Sequence, residues 1–180
     1  MVTPTRAPAV DARAARTAVD AMAVAATVPD PELPMVTLAD LGILRSVRQD
    51  ADRVTVTITP TYSGCPAMRE ISHDLRHRLE QAGFAEVIVR TELSPPWSSD
   101  WITEEGRNKL AAAGIAPPNP AARRGSGPVP LTLMPMPRTV DCPRCGSART
   151  TQTAAFSATA CKALYRCQSC DEPFEYVKEI

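Results

Sequence analysis

Two C-x-x-C pairs in the last quarter of the chain constrain its folding more than any other feature. Cys142 and Cys145 form the first C-x-x-C motif, and Cys167 and Cys170 form the second. A C-x-x-C turn points two thiolates at one ion, and two such turns complete a tetrahedral site. A module this short has almost no core of its own, so metal binding would supply most of its folding free energy. The pattern predicts a four-cysteine metal module over residues 138–180.

Zinc in a structural β-ribbon is the arrangement that this spacing favours. Four thiolates also suit iron, as a mononuclear centre or a cluster, so the metal stays open between zinc and iron. A pair of redox dithiols is the weaker alternative. Cys161 is left over: it is either a further ligand or functional thiol, or a small buried residue on a strand. The predicted strands of the ribbon are Ser147 to Thr153, Ala158 to Arg166, and Phe174-Glu175-Tyr176.

Charge and hydropathy exclude several partner classes. Lys and Arg number 20 and so do Asp and Glu, so the formal net charge is zero. Residues 138–180 carry six basic and five acidic side chains, which form no basic patch. We therefore expect neither nucleic acid nor a membrane as partner. The first residues do not read as a secretory signal, and clustered cysteines then indicate metal ligands in a reducing cytoplasm.

The residues before the ribbon predict an α+β domain over residues 9–115, with the element order α-β-β-α-β-α. Three mostly antiparallel strands would form a small sheet with helices on one side. Residues 116–137 are rich in proline and predict a linker. The predicted helices are Ala9–Thr27, Pro66–Ala82 and Asp100–Ala113, the last with Asp100 as N-cap, and the predicted strands are Gly42–Arg48, Val54–Thr59 and Glu86–Leu93.

Cys65 directly precedes Pro66 at the predicted start of the central helix. Proline is favoured at the first helical position, which would place Cys65 at the N-cap. Backbone N–H groups and the helix dipole would then stabilise its thiolate. Cys65 is therefore a candidate reactive or metal-binding thiol, the alternative being a buried structural cysteine.

Acidic turns lie beside the first strands, at Asp30-Pro31-Glu32 and Asp40-Leu41-Gly42. Their carboxylates either form turns and caps or line the same site as Cys65. His73 and His77 lie one turn apart on the central helix, where a solvated face is the alternative to a metal site.

Trp97 and Trp101 flank a Ser-Asp loop and would form either core lids or a docking patch. The sequence contains no phosphate loop, nucleophile elbow or zinc-hydrolase motif, so we expect no enzyme activity.

Several segments of the chain resemble known families when they are taken together. They are Asp30-Pro31-Glu32-Leu33-Pro34, Asp40-Leu41-Gly42-Ile43, the Val54–Thr59 strand and Thr61-Tyr62-Ser63-Gly64-Cys65-Pro66. Residues 10–115 thereby resemble the iron–sulfur cluster assembly factors of the SufT and eukaryotic cytosolic-assembly type. With Ser94-Pro95-Pro96-Trp97 and the run from Ala160 to Cys167, nearly the whole chain resembles the D-protein (PaaD) family of the bacterial aerobic phenylacetate pathway.

The resemblance implies a cytoplasmic accessory protein of the multicomponent phenylacetyl-CoA epoxidase, which has a di-iron oxygenase and a reductase with flavin and a [2Fe–2S] cluster. It implies a non-catalytic role, aiding cluster maturation of the reductase. Cys65 corresponds to the family's cysteine before proline and would transiently hold iron or a cluster, and Asp30 and Glu32 match its acidic motif. A structural subunit of the epoxidase and an iron-containing electron carrier are the alternatives.

Overall fold

The computed structural model describes residues 19–119 and 139–179. Strand β1 (Leu44–Asp50) pairs antiparallel with β2 (Arg53–Ile58). The hairpin turns at Ala51, whose φ of 50° lies in the left-handed region. This confirms the predicted hairpin. The order of the sheet is β1-β2-β3, with β3 (Glu86–Thr91) at its other edge.

The pairing of β3 departs from the mostly antiparallel sheet that the sequence predicts, because β3 runs parallel to β2. The reason is the helix α2 (Met68–Gln81), which connects the two strands in sequence. A crossover helix returns the chain to the same end of the sheet, so the next strand enters in the same direction. The α+β class is nevertheless confirmed.

The core of this domain lies between β2 and the apolar face of α2. Val54, Val56 and Ile58 on the strand are fully buried. Ile71, Leu75 and Leu79 on the helix recur at spacings of four residues and are also buried, as the helical periodicity predicts.

Two of the predicted helices begin later than expected among the described residues. Helix α1 (Ala21–Ala26) begins after Asp20, whose carboxylate accepts a hydrogen bond from the backbone N–H of Met22. The predicted helix Ala9–Thr27 is therefore interrupted at Asp20, and its first part, residues 9–18, lies outside the described residues. Helix α3 (Glu104–Ala112) is capped by Thr103, which accepts from the N–H of Gly106 at 2.9 Å, and Asp100 lies in a preceding 3-10 turn. Both capping residues follow the N-cap preference for short oxygen-bearing side chains.

The ribbon forms a four-stranded sheet with the order β4-β7-β6-β5. Its three antiparallel strands match the predicted ones. Strand β4 was not predicted, because two apolar residues before a pair of prolines carry no strand periodicity. The strands are β4 (Ile115–Ala116), β5 (Thr150–Ala154), β6 (Lys162–Cys167) and β7 (Pro173–Val177).

The ribbon packs directly against the α+β domain. Strand β4 runs parallel to β7, so the start of the predicted linker is part of the ribbon sheet. Val177 at the end of β7 and Ile115 in β4 belong to the same buried core as Ile71 and Leu75. Residues 120–138, the rest of the predicted linker with the first ribbon residue, lie outside the described residues. Across the part of the chain that the structure describes, no helix is long and apolar enough to cross a membrane.

Candidate functional site

The four ribbon cysteines converge on one point. Sγ of Cys142 lies 3.8 Å from Sγ of Cys170, and Sγ of Cys145 lies 3.6 Å from Sγ of Cys167. Zinc–sulfur bonds of about 2.3 Å in a tetrahedron place sulfurs about 3.8 Å apart, so these distances fit a zinc ion. Cys142 and Cys167 are buried, whereas Cys145 and Cys170 are exposed.

Backbone N–H groups favour the thiolate at one of the four sulfurs. The N–H of Ser169 donates to Sγ of Cys167 at 3.3 Å. Burial acts to raise the pKa of Cys167, but hydrogen bonds from the N–H groups of Cys170 and Ser169 outweigh burial and bring it down to about 6. At Cys170 a hydrogen bond from the Glu172 N–H acts to lower the pKa, but hydrogen bonds with the other ribbon thiols and burial raise it to about 12. A metal must therefore displace protons from some of these sulfurs to bind four thiolates.

A second candidate site is a small cavity of about 30 Å³ between the α+β domain and the ribbon. Asp30, Glu32 and Cys65 from the domain line it together with Cys161 from the ribbon. The other lining residues are mostly apolar: Leu33, Leu41, Ile43, Pro60, Thr61, Ala67, Met68, Ile71, Trp97, Val177 and Lys178. The structure thus brings together the three domain residues that the sequence analysis grouped as a cofactor-binding site.

The Asp30 turn fixes one wall of this cavity. Oδ1 of Asp30 accepts hydrogen bonds from the N–H groups of Glu32 and Leu33, both at 2.9 Å. Burial raises the pKa of Asp30, although these two bonds and the charge of Lys162 act in the opposite direction. Burial also raises the pKa of Glu32, helped by the Asp30 charge and opposed by Lys162 and a hydrogen bond with the Thr159 hydroxyl. Asp30 therefore shapes the turn and also faces the cavity.

Cys65 differs in two respects from its predicted setting. The N-cap of α2 is Ala67, so Pro66 precedes the helix and Cys65 lies two residues before the cap. Burial raises the pKa of the Cys65 thiol; a hydrogen bond from the Ala67 N–H lowers it, and Glu32, Cys161 and Asp30 raise it. The expected stabilised thiolate is therefore wrong, because desolvation and neighbouring acidic groups outweigh one N–H donor.

Cys161 is not a fifth member of the ribbon centre. The four C-x-x-C cysteines lie close enough together to share one metal ion. They form the single group of three or more such side chains within residues 19–119 and 139–179, and Cys161 does not belong to it. Instead it faces the cavity of Cys65, with its Sγ 3.1 Å from the Thr159 hydroxyl. Thr159 and Lys162, which interact with Cys161, were not predicted to belong to this site. Their closeness to Cys161 in the sequence was the signal that could have indicated it.

Asp40 has a structural role. Its Oδ2 accepts hydrogen bonds from the Thr37 N–H and from Nζ of Lys109, both at 2.9 Å. These bonds support the predicted role of Asp40 in forming the turn, and Asp40 does not line the cavity of Cys65.

The remaining candidates lie elsewhere or pack in the core. His73 and His77 are exposed and stack with ring centroids 6.1 Å apart. Trp97 is buried and donates its indole N–H to the Leu41 carbonyl at 2.9 Å. The guanidinium of Arg45 lies over the Trp101 ring, 3.5 Å from its centroid. Trp97 is therefore part of the core, which agrees with the first of its two predicted roles, a core lid, and not with a docking patch.

Two family descriptions match the two parts of the chain. Residues 18–87 match "Iron-sulfur cluster assembly protein", and residues 127–178 match "PaaD zinc beta ribbon domain". An Fe-S protein maturation auxiliary factor of Porphyromonas gingivalis is 40% identical over 86 residues, which cover 47% of this chain and 81% of that protein. A crystal structure of a domain of unknown function, DUF59, from Bacillus anthracis is 29% identical and covers 50% of this chain and 87% of its own, with a TM-score of 0.47.

A relative in Escherichia coli (strain K12) matches along most of the chain. It is provisionally named as the D component of 1,2-phenylacetyl-CoA epoxidase and is 42% identical over 158 residues, which cover 88% of this chain and 90% of that protein. A match of 158 residues is too long to lie within the α+β domain or the ribbon alone. The chain therefore belongs to the PaaD family, the D proteins of 1,2-phenylacetyl-CoA epoxidase.

Proposed function

We propose that this protein is a non-enzymatic accessory factor of aerobic phenylacetate breakdown that assists iron–sulfur cluster maturation of phenylacetyl-CoA epoxidase. Iron or a cluster is the cargo, and the reductase component, which carries the [2Fe–2S] cluster in the epoxidase family, is the recipient. The observation that carries the proposal is the cavity in which Cys65 meets Asp30 and Glu32. The names of the two curated relatives, an epoxidase component and a maturation factor, support it.

The chemistry of the cavity suits temporary iron binding. A thiol with two carboxyl groups offers sulfur and oxygen ligands, which ferrous iron accepts. Binding requires loss of their protons, which the raised pKa of Cys65 and both carboxyl groups makes less favourable. A weakly held ion is what delivery requires. The cavity of about 30 Å³ suits a single ion better than an assembled cluster, which is larger.

The ribbon is proposed to hold one structural zinc and to dock the partner. Metal analysis and a visible spectrum of anaerobically purified protein test this identity. A colourless protein with one zinc per chain agrees with the proposal, whereas stoichiometric iron and colour would make the four-cysteine site an electron carrier. The cytoplasm is the proposed location.

Cys65→Ala tests the role of the cavity. In cells that depend on phenylacetate, this variant should lower the cluster occupancy of the reductase while the accessory protein stays folded with its zinc. His73→Ala, on the exposed face of α2, is the matched control and should leave occupancy unchanged. Full clusters in the Cys65→Ala background would overturn the proposal.

A structural component of the epoxidase is the second candidate, favoured by the name of the Escherichia coli relative. It predicts stable, stoichiometric co-purification with the oxygenase. It also predicts that Cys65→Ala leaves epoxidase activity and reductase clusters intact, so the same variant separates the two functions.

A further inference from the structure

We infer that Cys161, supplied by the ribbon, is a second sulfur ligand for a transition-metal ion held at Cys65, so that the metal site is shared between the two modules. This inference rests on the proposed function, because it takes iron as the cargo of the cavity. It assigns Cys161 a role separate from the ribbon zinc centre, and it makes the ribbon part of the iron-handling site.

The first support is the placement of Cys161. It precedes β6 and lines the same cavity as Cys65, Asp30 and Glu32, although it belongs to the other module. Its own carbonyl accepts a hydrogen bond from the N–H of Lys178 at 2.9 Å. This bond ties the loop before β6 to the end of β7 and holds the thiol at the domain–ribbon contact.

The second support is the hydrogen bonding of Cys161. The Thr159 hydroxyl lies 3.1 Å from Sγ of Cys161. Outer-shell hydrogen bonds of this kind orient metal ligands. Thr159 therefore orients the Cys161 thiol in the cavity that Glu32 also lines.

The third support is the charge balance. Two thiols and two carboxyl groups meet in the cavity, and all four are negative when ionised. Two lysines offset part of this charge: Lys162 acts on Asp30 and Glu32 although its Nζ lies 2.9 Å from Glu175, and Lys178 lines the cavity while its Nζ donates to the Ala160 carbonyl at 2.8 Å. A divalent cation would offset two of the four negative charges, and a pair of sulfurs selects a transition metal over calcium or magnesium.

Binding must also bring the cavity groups closer together. The four groups do not already converge as the ribbon cysteines do, whose ligand atoms all lie within 4.8 Å of one another. A bound ion would therefore draw some of these side chains towards one point in the cavity.

Cobalt(II) binding to the zinc-loaded full chain tests the inference, because thiolate-to-cobalt charge-transfer absorption reports the number of sulfur ligands. Under anaerobic conditions the wild type should bind one cobalt beyond its zinc. Cys65→Ala and Cys161→Ala should each lose about half of the charge-transfer absorption and weaken binding by at least about tenfold, the lower end of what the loss of outer-shell partners costs.

Thr153→Ala is the matched control, since Thr153 is exposed on strand β5 of the same ribbon and does not line the cavity. It should bind cobalt as the wild type does, and one zinc per chain in every variant reports a folded ribbon. Undiminished absorption in Cys161→Ala, with loss in Cys65→Ala, overturns the shared site but leaves the proposed function standing. Failure of the wild type to bind cobalt beyond its zinc overturns both.

Discussion

Cys65 of the α+β domain and Cys161 of the ribbon line one cavity, although they lie far apart in the sequence and in different modules. Val177, beside that cavity, packs into the core of the α+β domain. The ribbon is therefore a wall of the domain's candidate site as well as a separate metal module. We therefore expect the folding of the ribbon to affect how accessible Cys65 is.

Removal of the ribbon metal should consequently expose Cys65. A chelator strong enough to extract zinc should unfold the ribbon, because its own buried cluster is small, with six residues besides Cys142 and Cys167. Since Cys161, Val177 and Lys178 form one side of the cavity, Cys65 should then react faster with iodoacetamide. Peptide mass spectrometry, with zinc re-addition as the control, measures the rate at Cys65. An unchanged rate would mean that the ribbon does not cover this thiol.

Replacement of Asp40 by alanine should lower stability through the loop before β1. The Thr37 N–H loses its side-chain acceptor, which costs about 1 kcal/mol, and Nζ of Lys109 loses one of its carboxylate partners. Urea unfolding at pH 7 measures the difference from the wild type. Thr61→Ala is a control on a nearby half-buried loop and should cost less.

The difference in unfolding free energy between the wild type and Asp40→Ala should also depend on pH. Burial acts to raise the pKa of Asp40, but the bonds from Thr37 and Lys109 outweigh it and lower the pKa below 3.8. A carboxyl with a lowered folded pKa contributes stability above its unfolded pKa and loses it as pH falls through the folded value. The difference between wild type and Asp40→Ala should be constant near neutrality and shrink below pH 3.8. A difference that grows in acid would contradict this assignment.

Much of this architecture follows from local sequence patterns. The alternation over Val54–Thr59 and the helical spacing of Ile71, Leu75 and Leu79 predict elements that the structure confirms, because one face of each is buried. The four-cysteine cluster follows from spacing, since two turns suffice to build it. Local chemistry therefore predicts each module well.

The shared cavity and the Cys65 environment could not be predicted in the same way. The position of Cys161 against Cys65 depends on β4, a two-residue strand, and on packing of Val177 across the modules, which leave no periodic signal. The pKa of Cys65 depends on burial, which the helix-start pattern does not report. Both the shared cavity and the raised pKa of Cys65 therefore depend on packing between residues that are distant in the sequence.

Replacement of Lys162 by methionine should destabilise the ribbon, because Nζ of Lys162 is buried and lies 2.9 Å from Glu175. Methionine retains the packing of the side-chain stem. The half-buried Glu175 carboxylate, however, loses Lys162 and keeps its hydrogen bond from the Ser157 hydroxyl. We expect a loss of about 2 kcal/mol, below the range for fully buried pairs. The double variant Lys162→Met with Glu175→Gln should recover part of it in chemical unfolding.

Alanine at Gly42 should be the most destabilising of these substitutions. Gly42 has a φ of +68°, and an added Cβ would lie 2.5 Å from Cβ of Trp101. Left-handed strain and overpacking together should cost about 3 kcal/mol. Gly114→Ala is the matched control: its φ is +80°, but no atom lies within 4 Å of the added Cβ, so strain alone should cost about 1 kcal/mol. Thermal unfolding of both zinc-loaded variants measures the contrast, and equal losses would show that contact with Trp101 does not limit this position.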